Sequence, residues 1–144
     1  MTTTDPEPFW THAHGALVHF PIALVCAAGV LEAAGFALRS RDCMRSLREA
    51  AHWTMLLGAA GSVPAVASGL FLTRGRMWGH GALRLHHLFV WPSFGLVVGL
   101  AVWRTALGAR ASDGNRAGYL AVLAVAIVLI TFAGYWGGVL LSRP

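Results

Sequence analysis

Seven histidines in a chain of 144 residues are the side chains here best suited to chemistry near neutral pH. Six of them fall into two groups. His12, His14 and His19 open one long apolar run, and His80, His86 and His87 lead into another. His52 stands apart. Two neutral imidazoles from different helices, meeting at one depth, are the ligand pair of a six-coordinate b-type haem. The chain has no C-x-x-C-H, so the spacing admits only a non-covalent haem. The same nitrogens suit copper or zinc, and Met77 close to His80 fits copper. They equally suit hydrogen bonding and proton transfer at a quinone pocket, or plain contact with headgroups and water.

Depth narrows the choice among the histidines. At about 1.5 Å per residue, His19 falls roughly 5 Å inside a helix counted from Ala16, and His86 and His87 roughly 2–3 Å inside one counted from Leu85. Adjacent helical residues point about 100° apart, so one of His86 and His87 is expected to face the bundle centre. His14 and His19 do not share a face of a regular helix, and a distortion at Pro21 would bring them toward a common point. A neutral imidazole at the depth of His19 needs a partner, because an unpaired polar group in hydrocarbon costs on the order of a few kcal/mol. His12 and His80 are expected in the wet interface. The sequence contains no H-E-x-x-H, paired-cysteine site, P-loop or G-x-S-x-G.

Glu32 is the other informative residue. It sits inside an apolar run, about 20 Å along the helix from His19. An ionisable group there has a partner or a role. Three readings stand: a protonated acid bonded to a carbonyl or a serine, a member of a proton path, or a structural pair with His52 or an arginine. His52 is the nearest candidate by depth.

The elements that carry these residues follow from composition. Hydrophobic residues make up 56% of the chain and charged residues 12%, about half the usual charged share of a soluble domain. These values exclude disordered and fibrous classes and argue strongly against a soluble one. Four apolar runs, 16–38, 50–72, 85–107 and 117–141, are each long enough to span the bilayer. A backbone in lipid must satisfy its own hydrogen bonds, so these are helices. The expected fold is all-α: a single domain formed by a four-helix transmembrane bundle with short loops. Small residues such as Gly58, Gly61, Ser68 and Gly69, and Gly134, Gly137 and Gly138, favour close helix contact. Pro21, Pro64 and Pro92 are expected to bend their helices or mark first turns.

The net charge of +5 comes from arginine alone among the basic residues. The arginines sit between apolar runs, where they orient helices, so no nucleic acid is expected as a partner. Arg39, Arg41, Arg45, Arg48, Arg104, Arg110 and Arg116 fall on one side, and Arg74, Arg76, Arg84 and Arg143 on the other. The richer side is expected to be cytoplasmic, with both termini outside. Trp10, Trp78, Trp91 and Trp136 lie toward the outer helix ends, and Trp53 and Trp103 toward the inner ones, as interfacial belts do. Residues 1–8 carry Asp5 and Glu7 and no positive stretch, so no signal peptide is expected. Cys26 and Cys43 form no disulfide framework.

The string His14-Gly15-Ala16-Leu17-Val18-His19-Phe20-Pro21-Ile22-Ala23-Leu24 resembles the opening of the bacterial membrane family called domain of unknown function 2231, which reads approximately H-P-x-x-V-H-F-P-I-A-L. Glu32, His87 and the run Gly134-Tyr135-Trp136-Gly137-Gly138 resemble further features of that family, and the likeness covers nearly the whole chain. The chain departs from it at Gly15, at Gly69-Leu70-Phe71-Leu72 and at its C-terminal residues. The resemblance implies four helices in a bacterial inner membrane. Some relatives resemble fusions to Rieske-type or cytochrome-c-type domains, which implies electron transfer. The expected function is therefore a membrane redox subunit with haem b near the outer surface, passing electrons between quinol and an outer partner. His19 and His87 are the expected axial ligands, with His14 and His86 as substitutes or supporting donors. The alternatives are a non-catalytic subunit of a larger membrane complex and a proton- or metal-coupled transport component. The expected partners are the lipid bilayer, other membrane redox subunits or quinone, within an oligomer or complex.

Overall fold

The computed structural model describes residues 7–38, 42–108 and 112–141. They form four helices, α1 (Glu7–Ala37), α2 (Met44–Leu72), α3 (Ala82–Leu107) and α4 (Asp113–Leu141), and no strand occurs among the described residues. Each helix holds a stretch long and apolar enough to cross a membrane: Phe9–Ala37, Met44–Leu72, Ala82–Leu107 and Asp113–Leu140. At 26 to 31 residues the helices are about 39–47 Å long, against roughly 30 Å of hydrocarbon, so their ends stand in the interfaces.

Helices α1 and α2 start well before the apolar runs do, at Glu7 and Met44. Their first turns carry residues such as His12, Arg45, Arg48 and Glu49, which lower hydropathy without disfavouring helix. Hydropathy therefore reads the part of a helix that lies in lipid, not the whole helix. Pro21, Pro64 and Pro92 all lie inside helices that continue through them.

Helix α1 packs along α2, and α3 along α4. The two hairpins meet through the narrower α2–α3 and α1–α4 seams, which puts α1 and α3 on the bundle's diagonal. Val25, Met55, Leu100, Tyr119 and Leu123 form the fully buried centre. Missing side chains set the close approaches: a Cβ on Gly58 would meet Val25 Cγ2 at 3.1 Å, and one on Gly61 would meet the Phe20 ring at 2.9 Å. Large apolar residues such as Val30, Phe71 and Val102 face outward, as they do where lipid is the solvent.

The starts of α1 and α3 and the ends of α2 and α4 share one end of the bundle, here the histidine end. The connection 73–81 lies there. Gly75 N–H returns to the Leu70 carbonyl at 2.8 Å and caps α2, with Gly75 at φ 75°, a conformation natural to glycine. The opposite, arginine end carries the other two connections. Arg39, Arg41, Arg110 and Arg143 lie outside the described residues. Cys26 and Cys43 are both free.

Candidate functional site

A cavity of about 520 Å³ occupies the histidine end, and His14, His19, His86 and His87 all line it. That volume lies within the usual range for small-molecule sites. Most of the remaining wall is apolar, with Val18, Ile22, Leu83, Phe94 and Ile130 among its residues. His12 and His80 are exposed and do not line it.

His14 on α1 reaches across to α2. Its Nδ1 is 2.8 Å from Ser68 Oγ. The Ser68 hydroxyl also lies 2.8 Å from the Ala65 carbonyl; with its proton there, it accepts from His14 and Nδ1 carries the hydrogen. The ring lies against Gly69, where a Cβ would come within 3.0 Å of His14 Cε1. His86 on α3 repeats the arrangement on α4. Its Nδ1 donates to the Ala133 carbonyl at 2.8 Å, and its ring lies against Gly137, where a Cβ would sit 3.2 Å from Cε1. A carbonyl can only accept, so here Nδ1 holds the hydrogen. In a neutral imidazole the other nitrogen, Nε2, then keeps its lone pair. His86 lies within electrostatic reach of His14.

His19 donates Nδ1–H to the Gly15 carbonyl of its own helix and is exposed. Because α1 begins at Glu7, His19 lies about 18 Å along it, deeper than a count from Ala16 suggests. His87 is buried at 6% exposure, and its Nδ1 has no hydrogen-bond partner. Its ring is 5.8 Å from that of His86 and 6.2 Å from Trp91. Trp91 Nε1 donates to the Met77 carbonyl at 3.0 Å, tying the 73–81 connection to α3. Both His86 and His87 therefore reach the cavity, although one was expected to face inward: the space is wide enough to be met by neighbours about 100° apart. The same width accommodates His14 and His19.

Among the described residues no three His, Cys, Asp or Glu side chains converge as a metal-binding group. A bare zinc ion takes three or four protein ligands. Haem iron brings its own four equatorial nitrogens and needs only axial ones. Two imidazoles on diagonal helices, each with Nδ1 held by a neighbouring helix, could supply such an axial pair.

The arginine end holds a second cluster. Glu32, 4% exposed, pairs with two guanidiniums: Arg104 Nε lies 3.4 Å and Arg116 Nη1 3.6 Å from Oε1. Arg104 Nη2 also donates to Glu32 Oε2 at 3.4 Å and to the Arg48 carbonyl at 2.9 Å. The cluster thus joins α1, α2, α3 and α4. Arg104 and Arg116 look like junction residues in the sequence, yet they are 7% and 3% exposed. Of the partners open to Glu32, the arginines are the ones it takes. His52 lies against Trp53, ring centroids 5.6 Å apart, and its Nδ1 is buried without a partner. Ser68 and the Ala133 carbonyl were not legible as site residues. Only the small-residue pattern of α2 and α4 hinted at them.

Residues 11–143 match the family described as predicted membrane protein (DUF2231). The match covers nearly the whole chain, and the protein belongs to that family. It is a multi-pass membrane protein with four candidate spans. No curated protein and no solved structure matches it.

Proposed function

We propose that this chain is a small redox subunit of the bacterial cytoplasmic membrane. It works as one four-helix unit, holds haem b between His14 and His86, and passes electrons between membrane quinol and a partner on the outer side. The observation that carries the reading is how that histidine pair is anchored. Each Nδ1 is held by a neighbouring helix, at Ser68 Oγ and at the Ala133 carbonyl, and with Nδ1 protonated both Nε2 atoms are left as donors to a metal. Histidines that bind metals almost always give their other N–H to such an acceptor.

Sequence depth alone favours His19 and His87. The pinned ring orientations favour His14 and His86, with His87 beside them and His19 at the cavity's edge. Gly69 and Gly137 let the two rings lie against backbone, which keeps the space between them open. When bound, haem supplies a one-electron couple. The protein's part is to fix two imidazoles and exclude water with an apolar wall.

The excess of arginine at the opposite end supports an orientation with the histidine end and both termini outside. The short connections and outward apolar faces suit membership of a larger membrane complex. Adding haemin to the detergent-purified protein tests the core of this reading. A Soret band that saturates at one haem per chain is expected. A band that grows without saturating would overturn it.

A further inference from the structure

The histidine cavity opens sideways. Three exposed residues line it: His19 on α1, and Gly134 and Gly138 on α4. All three lie along the α1–α4 seam, the narrower of the two between the hairpins. A Cβ at Gly134 or Gly138 would meet nothing within 4 Å, so backbone forms a flat, unfilled wall on that side. With a ~30 Å hydrocarbon layer centred on the Phe9–Ala37 and Asp113–Leu140 spans, His19 falls about 9 Å and Gly134 about 4 Å below the boundary. The mouth faces lipid. Toward water, Thr73 lines the cavity, and the 73–81 connection is fastened by the Trp91–Met77 hydrogen bond.

The chemistry at the mouth is one-sided. His19 has already given its Nδ1–H to Gly15, so its neutral ring offers only the Nε2 lone pair, an acceptor in a setting poor in water. His87 also lines the cavity; it is more than nine-tenths buried and its Nδ1 has no partner. A molecule that reaches this mouth through the bilayer, lies flat on bare backbone and satisfies an imidazole acceptor is lipid-soluble, planar and a hydrogen-bond donor, as a ring hydroxyl is.

We infer that the α1–α4 mouth docks the ring of a lipid-soluble hydroquinone, with one ring hydroxyl donating to His19 Nε2. The inference rests on the reading of the cavity as a redox site and gives His19 a role apart from the metal. Selectivity for the reduced form follows, because the corresponding quinone has carbonyls in place of hydroxyls and cannot donate.

The test uses the full chain in detergent under argon, with a decyl-substituted benzohydroquinone and its quinone as probes. Affinity is read by calorimetry, and the Soret region is recorded on the same sample. The hydroquinone is expected to bind about tenfold more tightly than the quinone, the worth of one hydrogen bond to a desolvated acceptor. His19→Phe should lower hydroquinone affinity to that of the quinone and leave the quinone's unchanged. His19→Gln, which keeps an acceptor oxygen, should restore part of the preference. Gly134→Leu should weaken both probes by narrowing the mouth. Equal affinity of the two redox forms for the unmodified protein would overturn the inference, as would a preference that survives His19→Phe. A retained preference in a sample with no Soret band would support the docking site and count against the haem alone.

Discussion

His14 and His86 stand on diagonal helices at one cavity, and each is held by the helix beside it: His14 Nδ1 is 2.8 Å from Ser68 Oγ, and His86 Nδ1 is 2.8 Å from the Ala133 carbonyl. The two hairpins thus solve one problem twice. Each presents an imidazole whose orientation is set by its neighbour, with a glycine beneath the ring.

Ser68 should matter although it touches no ligand. Ser68→Ala removes the acceptor of His14 Nδ1–H and frees the ring to turn. Haem affinity is expected to fall about 10-fold, the lower end of what lost supporting partners of metal-bound histidines cost. Titration of the purified variant with haemin measures it. An affinity equal to that of the unmodified protein would mean that Ser68 does not position His14.

The glycines divide into two kinds. Gly69→Ala and Gly137→Ala place a Cβ within 3.0 and 3.2 Å of an imidazole carbon, so the ring must shift. Both should reduce haem binding. Gly134→Ala and Gly138→Ala meet no protein atom within 4 Å, so they should leave both imidazoles in place and reduce haem binding less. Uniform behaviour across the four variants would contradict the assigned ring positions.

Glu32 is expected to hold the arginine end together. Glu32→Ala removes the carboxylate that the buried Arg104 and Arg116 share. Removing one partner of a buried pair costs about 3–5 kcal/mol, so a large drop in the detergent melting temperature is expected. Glu32→Gln, which keeps the shape and loses the charge, should also melt early. Melting close to that of the unmodified protein in both variants would show that the guanidiniums find other partners.

Much of the fold was legible in the sequence, because hydropathy follows from composition along the chain. Four uncharged or nearly uncharged runs can only be helices in lipid. The helix starts were not legible, since polar first turns look like loops. The histidine end was visible from chain order alone: α1 and α3 begin there. Which imidazole faces which was not, because that depends on Ser68 and Ala133, which lie 54 and 47 residues away from their partners. Glu32 announced itself as a buried charge, but Arg104 read as a loop residue until tertiary packing brought it to the carboxylate.

Orientation is open to a direct chemical check. Cys43 is exposed next to the start of α2, and Cys26 is half-buried within α1. With the arginine end cytoplasmic, an impermeant maleimide added to intact cells should leave Cys43 unlabelled in a Cys26→Ser background. Labelling should appear after the cells are opened. Labelling in intact cells would invert the topology and put the histidine cavity on the cytoplasmic side.

The most direct measurement is the visible spectrum of the dithionite-reduced protein, purified after expression with ample haem, beside His14→Ala and His86→Ala. The account predicts the sharp α and Soret bands of low-spin, bis-histidine haem in the unmodified protein, and their loss in each variant. Absence of any haem bands, or bands that persist unchanged in both variants, would contradict it.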